Sequence, residues 1–532
     1  VHIACCWSNC LAHLVPRWRH NEAKRRELLS TAAAAGVSVA FGAPLGAVLF
    51  SFEEVSTMFP SRTMVLAFFA ATVAAITLDW WNPTGTGKLT LFQTEYNTPP
   101  VFPEYIGFVF LGVVGGLIGA FFVHYNIMVC AGRRKGTVWR EKVPEVVEVL
   151  MICFLTAITS YPNRYTRVLS STTIGALFHA CADEGPSKPD MMGLCAGREP
   201  QTDLALSGTL LIAGLLRFVQ MIFTFGAGVP CGLFVPCLFT GACLGRVVGF
   251  AAHHINSLIP GSTLVINPGV YAMVGAASVL GGVCRVTISL VVIMFELTGG
   301  LQMVVPFMCA VLIAKFVGDF FTGGIYDCAI RLRGYPFLHE PDEAAFHKTA
   351  ADVMDVDLEV MDCEPQTIGE VLQFLRRSGY SGFPLIRSSA LGDKTIVGYI
   401  HKDQIVKHLQ EQLKTNQLLS EGDKMAFQPS ATTRRGPMDL SHLVDGTVYR
   451  VVKDMPVKEV HGMFRKLGLK LILVEEAGRL VGMITKKSFI DHVDEIERAE
   501  VEGTLQREFT GSFGLEQPLL EVEESPSSRM HR

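Results

Sequence analysis

Residues Ala32–Phe52 read AAAAGVSVAFGAPLGAVLFSF and run directly into Glu53 and Glu54. The stretch holds no ionisable side chain, so it is apolar enough to live in lipid. The acids at its end must reach the interface, find partners or carry ions, because an unpaired buried carboxylate is strongly disfavoured. A later run, Val286–Phe295 (VTISLVVIMF), ends the same way in Glu296. Two small-residue-rich apolar segments that each close on an acid suggest one building block used twice.

Composition sets the wider frame. The chain has 532 residues, 49% of them hydrophobic and 18% charged, with a net charge of −4. That is too apolar for an average soluble protein, and the mild charge argues against nucleic acid as a partner. From Ser30 to about Phe321, long apolar runs alternate with short polar loops; from Arg331 onward the sequence is ordinary and soluble. The predicted fold is an all-α membrane domain over 1–333, with tilted and broken helices, followed by a cytosolic α/β part. Candidate spans of roughly 20 residues lie near Thr31–Phe52, Val65–Leu78, Tyr105–Val129, Val146–Ser160, Leu204–Phe225, Leu233–Ala252, Val270–Leu297 and Met303–Phe321. Several carry Gly and Pro inside, which in a membrane predicts broken or re-entrant helices around a midplane site.

No cleavable signal is visible, and Val1 opens on what reads as the inside of a helix, so an N-terminal truncation is expected. The 14 cysteines form no zinc-like spacing and read mostly as small packing residues. Cys181 and Cys195 flank a polar loop and would suit a disulfide in an oxidising lumen. No metal site is expected.

The soluble half repeats itself. Thr367–Ile386 (TIGEVLQFLRRSGYSGFPLI) superposes on Pro456–Glu475 (PVKEVHGMFRKLGLKLILVE), matching Glu370 with Glu459, Arg376 with Arg465 and Gly379 with Gly468. Each block reads as amphipathic helix, turn and apolar strand. A second strand follows, beginning Val397-Gly398 or Val481-Gly482. This order resembles a pair of cystathionine-beta-synthase-type (CBS) domains, placed at 350–412 and 446–502. Residues 334–349 read as a linker, 413–445 as a flexible linker and 503–532 as a disordered tail. The resemblance implies an adenine nucleotide such as ATP in the cleft. Tyr380, Ser381 and Gly382 match the segment that holds the base, and Thr485, Lys486 and Lys487 the segment near ribose and phosphates. Ser488 stands where those relatives carry the ribose-binding Asp, and Glu359 where they carry a Thr. The alternative is a dimerised structural module with an empty cleft.

In the membrane half, Gly226–Pro236 (GAGVPCGLFVP) frees the backbone to bend and begin a helix inside the bilayer. A helix start offers unpaired N–H groups and partial positive charge, which hold an anion without a full cation and so let it leave again. Leu233 and Phe234 would supply those amides, and the Phe234 ring would shield the ion. Tyr326, after Gly323 and Gly324 at the end of the last apolar run, offers a neutral O–H donor, or else an interfacial aromatic.

These motifs resemble the CLC chloride channels and transporters: GxxxPxGxFxP at 226–236, the last tyrosine motif at 323–327, and NEAKRRELLSTAAAAGVSVAFGAPLGAVLFSFEEVS, which is similar to the endosomal exchangers of the family. The resemblance covers about 1–502. It implies chloride binding at Leu233, Phe234 and Tyr326, with Glu54 as the internal proton acceptor. CLC channels carry a nonpolar residue at that position. Glu53, about 100° round a helix from Glu54, cannot face the same path; the plain alternative is two solvated acids at a helix end. The glutamate of the family's GKEGP motif, which gates chloride, would fall four residues before Val1, and the serine motif further upstream. The implied protein is no enzyme and requires no cofactor. It is a homodimeric electrogenic Cl⁻/H⁺ antiporter of an intracellular membrane (endosome, Golgi or vacuole), dimerising through the membrane domain and the CBS pair, with a cytosolic C-terminus. Its job would be vesicle acidification and chloride accumulation. The rivals are a voltage-gated chloride channel of the same fold, a non-transporting truncated regulatory subunit, and a structural nucleotide sensor.

Overall fold

The computed structural model describes residues 1–19, 21–56, 59–81, 92, 100–133, 143–179, 192, 194, 200–258, 266–335, 337–338, 347–388, 394–415, 422–427, 438–493 and 495–496. Cys181, Cys195 and the 503–532 tail lie outside the described residues. The chain divides into two compact units, Val1–Tyr335 and Pro336–Arg532.

The first unit opens with helices α1 (His2–Leu14), α2 (Pro16–Arg19) and α3 (Glu22–Phe41). Then come α4 (Pro44–Phe50), a π-helical turn (Ser51–Val55), α5 (Ser61–Trp81), α6 (Glu104–Gly132) and α7 (Glu145–Ser160). Next are α8 (Arg164–Arg167), α9 (Ser170–Phe178), α10 (Pro200–Thr224) and α11 (Phe234–Ser257). Last are α12 (Pro268–Cys284), α13 (Ile288–Thr298), α14 (Val304–Phe321) and α15 (Ile325–Arg333). Among the described residues, five helical stretches are long and apolar enough to cross a membrane.

Two of the expected continuous spans are each split in two. Thr31–Phe52 breaks where Gly42 closes α3 in the left-handed conformation (φ 65°) and Pro44 opens α4. Proline suits a first helical turn, and glycine enters the left-handed region without a Cβ clash. Val270–Leu297 breaks at Arg285, which closes α12 at φ 64° although it is not glycine.

Helix α12 is buried along nearly its whole length and forms the centre of the unit. Its neighbours approach it backbone to backbone. A Cβ at Gly245 of α11 would collide with the carbonyl oxygen of Tyr271, and one at Gly119 of α6 with the backbone of Gly282. Small residues at such crossings let helices associate by close packing where lipid supplies no hydrophobic drive.

The second unit holds a six-stranded sheet and a three-stranded sheet. The strands are β1 (Met361–Asp362), β2 (Gln366–Thr367), β3 (Gly382–Ser388), β4 (Lys394–His401), β5 (Lys424–Ala426), β6 (Met438–Asp439), β7 (Arg450–Val452), β8 (Leu471–Glu476) and β9 (Arg479–Thr485). The large sheet runs β1-β3-β4-β9-β8-β7, and β2-β5-β6 form the small one. The repeat is visible in the pairing: β1 is parallel to β3 and β3 antiparallel to β4, as β7 is to β8 and β8 to β9. The register shifts at Leu385/Ile386 and again at Val474/Glu475, the same place in the two superposed sequences. Helices α16 (Ile368–Arg377) and α18 (Val457–Leu467) occupy equivalent places in the two superposed blocks, after β2 and β7; α17 (Lys402–Thr415) follows β4. A capping box of Thr367 and Glu370 starts α16.

Each copy lends its lead-in segment to the other. Asp355 N donates to Met483 O and Met483 N to Asp355 O, while Tyr399 and Asp445 exchange the same pair of bonds. This explains the Val-Gly dipeptides. A Cβ at Gly398 would crowd Val444 and Asp445, and one at Gly482 would crowd Met354 and Asp355. Two expected boundaries are corrected accordingly. Ala350 and Val353, placed in the first copy, are buried in the core of the second. The 413–445 stretch, expected as a flexible linker, supplies β5 and β6, and Met425, Phe427 and Leu440 are buried in the core of the first copy. Its polar composition masked those few apolar residues at their intervals.

Candidate functional site

The two acid-ended segments pack as a pair, and each acid caps the other segment's helix. Glu53 Oε1 accepts from Thr287 N (2.7 Å) and Oγ1 (2.6 Å), and Oε2 accepts from Ser289 N (2.9 Å) and Oγ (2.7 Å). These donors lie at the start of α13. In return, Glu296 near the end of α13 accepts from Leu45 N (3.1 Å) and Gly46 N (2.8 Å) at the start of α4. The end of each helix reaches the start of the other, so α4 and α13 run antiparallel. A carboxylate satisfies the orphan N–H groups of a helix start and favours its positive dipole end.

This fixes the roles of the neighbouring acids. Both sit on the π-helical turn, a widened turn common at functional sites. Glu53 is held by four donated hydrogen bonds. It is therefore not a solvated helix-end acid. Glu54 is half-buried on the same turn, and Cys284, Tyr326 and Asp327 are near enough to feel its charge.

The anion-type features gather beside it. Leu233 is the N-cap of α11, with no side-chain cap on the amides there, and Phe234 is the first helical residue. Pro236 lacks an N–H, so donors at this start are concentrated on the backbone before it. The Phe234 ring packs against Phe41 (centroids 5.2 Å apart) and edge-on against Phe50 (5.7 Å), the last residues of α3 and α4. Phe234 and Tyr326 both pack against the main buried core. Cys237, on the first turn of α11, is an electrostatic neighbour of Tyr326. The Cys284 thiol donates to the Tyr326 phenol oxygen at 3.8 Å. Uncapped amides at a helix start can hold an anion and a phenol can donate to one; a half-buried carboxylate can exchange a proton.

A buried brace holds the approach to α11. Asn126 Nδ2 donates to Ile222 O (2.8 Å) and Phe225 O (3.1 Å). Arg133 donates to Phe225 O (3.1 Å), to Phe223 O, and to Glu148, with which it forms a buried ion pair. The carbonyls at the end of α10 are thus satisfied just before Gly226. The sequence reading passed over this brace. Its signal was Glu148 inside an expected span, since an ionisable residue at that depth needs a partner.

In the second unit, Ser381 and Gly382 lie at the start of β3, beside an exposed Tyr380. Glu359 precedes β1, whose Met361 pairs with Leu385, so it falls at the same end of the sheet as Gly382. The segment leading to Glu359 is tied by Asp355 to Met483, two residues before Thr485. The lead-in thus connects the two groups of predicted residues. Ser488 Oγ accepts from Thr485 N (3.2 Å), and Thr485 Oγ1 accepts from Ser488 N (3.1 Å), a local cap of the helical turn that begins at Lys486.

Comparison with known proteins defines the class. The family model described as "Voltage gated chloride channel" matches residues 1–319, and that described as "CBS domain" matches 443–495. The chain belongs to the voltage-gated chloride channel (CLC) family and carries a C-terminal CBS region. It is 41% identical to H(+)/Cl(-) exchange transporter 5 of Cavia porcellus, over 95% of this chain and 71% of that protein. It is 40% identical to H(+)/Cl(-) exchange transporter 3 of Homo sapiens, over 93% of this chain and 63% of that protein. The chain therefore spans about two thirds of the length of these relatives. The crystal structure of a eukaryotic CLC transporter shares the fold, with a TM-score of 0.60 at 21% identity, covering 92% of this chain and 75% of that one.

Proposed function

We propose that this chain belongs to a chloride/proton antiporter of an intracellular membrane. The observation that supports the reading is the division of labour between two adjacent acids: Glu53 is consumed as a helix cap, and Glu54, half-buried on the same turn, is left for the proton. Chloride passes the start of α11 at Leu233 and Phe234 and the phenol of Tyr326. Protons enter from the cytosol at Glu54. The similarity to exchange transporters 3 and 5 supports both ions.

The protein works as a homodimer. An apolar hollow of about 680 Å³ on the outer face of α4, α5 and α13, lined by Leu45, Val48, Met64, Phe68 and Phe295, supports a second copy there. The CBS pair regulates transport through an adenine nucleotide held by Tyr380–Gly382 and by Lys486 and Lys487. Ser488 is already engaged with Thr485, so the ribose is held weakly.

The test is the reversal potential of the intact protein at fixed chloride and varied pH. An exchanger's reversal potential moves with the proton gradient. One that ignores pH identifies a passive channel.

A further inference from the structure

Three sulfur atoms lie about the Tyr326 end of the site. Cys284 is 2% exposed and Cys237 is fully buried, and the Cys237 thiol contacts Met221 Sδ at 3.5 Å. Of these, Cys284 touches the phenol itself, its S–H directed at the Tyr326 oxygen at 3.8 Å. Its place is set by its chain neighbour. Arg285 turns the chain at the end of α12 and pairs with Asp319 (3.0 Å). It also donates to Thr322 O (3.1 Å) and Oγ1 (3.3 Å) and to Gly282 O. Thr322 leads into α15, and Gly324 lies so close that a Cβ there would sit 3.2 Å from Arg285 Cγ. Arg285 thus fastens the end of α12 to the start of the helix that carries Tyr326, and this seats the thiol against the phenol.

A phenol has one proton to donate, and its oxygen can accept. When the oxygen accepts from Cys284, the Tyr326 proton is directed away from the thiol and is available to an anion. A thiol is a weak donor and a polarisable neighbour. It fixes the hydroxyl without competing strongly for the ion.

We infer that Cys284 is a positioning residue for Tyr326, orienting the phenol proton toward the transported anion and thereby setting which anion the site prefers. This rests on the proposed anion role of Tyr326.

The experiment records anion selectivity, chloride against thiocyanate, in the intact protein reconstituted into liposomes, for wild type, Cys284→Ala, Cys284→Ser, Tyr326→Phe and the Cys284→Ala/Tyr326→Phe double variant. Loss of one weak hydrogen bond predicts a change of about three-fold in the selectivity ratio for Cys284→Ala. Cys284→Ser, which keeps a donor, returns the ratio toward wild type. In the Tyr326→Phe background Cys284→Ala changes nothing further, because the oxygen it acts on is gone. Equal ratios for wild type and Cys284→Ala overturn the inference, as does an undiminished Cys284 effect in the Tyr326→Phe background. If Tyr326→Phe shifts selectivity and Cys284→Ala does not, only the inference falls. If Tyr326→Phe also matches wild type, or wild type passes no anion, the anion reading falls with it.

Discussion

Both units of this protein are built from doubled elements, and they join their halves by different means. In the membrane unit α4 and α13 exchange side-chain carboxylates, each acid closing the other's helix start. In the second unit the two repeated halves exchange backbone, each lead-in pairing with a strand of the other. Surroundings explain the contrast. At membrane depth, backbone groups must be satisfied within helices, so only the helix ends remain to be joined, and a carboxylate suits their positive ends. In water, a short strand bridge is readily formed, and a glycine makes room for it. Fixing Glu53 on α13 holds the π-helical turn that carries Glu54.

The contrast can be broken at several points. The largest effect is expected for Glu53→Ala, which orphans the donors of Thr287 and Ser289 at the start of α13. It should destabilise the membrane unit by about 3 kcal/mol, read as a lower thermal-unfolding midpoint of the purified protein. An unchanged midpoint would mean the cap is idle. Gly482→Val should weaken the backbone exchange by about 2 kcal/mol, because the new side chain meets Met354 and the Asp355 carbonyl. Hydrogen exchange at the Asp355 amide should accelerate, while the membrane helices keep their protection. Glu296→Ala removes two acceptor contacts rather than four. It should destabilise by about 1.5 kcal/mol, clearly less than Glu53→Ala; the reverse ranking would refute the assignment of Glu53 as the main cap.

The smallest effect is a pH dependence in the backbone exchange. Hydrogen bonds from Thr447 N and Oγ1 hold the Asp445 carboxyl below its usual range. A depressed folded-state value means that the stabilisation is present above the unfolded value of about 3.9. It is lost as pH falls through the lower folded value. Acid titration of the Tyr399–Asp445 region by hydrogen exchange should show loosening only at that acid end, and Asp445→Asn should remove the dependence.

Much of this was legible in the sequence. The acid-ended runs pointed to the doubled membrane element, and the superposed blocks to the repeat in the second unit; the shared strand irregularity at Leu385 and Val474 emerged only from the pairing. The composition located both units. What stayed hidden depended on long-range partners. Nothing local says that Glu53 is bonded to Thr287 and Ser289, more than two hundred residues on, or that Arg133 braces the end of α10. The lead-in exchange was hidden for the same reason. Ala350 and Val353 look like the opening of the first copy, and only folding shows that they are buried in the second. The β5 and β6 strands escaped notice because a few buried residues lay within a polar stretch.

The most direct test of the account compares proton and chloride fluxes of the intact protein carrying Glu54→Gln or Glu53→Gln. The account predicts that Glu54→Gln abolishes proton movement and leaves chloride flux, whereas Glu53→Gln remains coupled in the fraction that folds. Coupled transport by Glu54→Gln, or chloride flux without protons in folded Glu53→Gln, would contradict it.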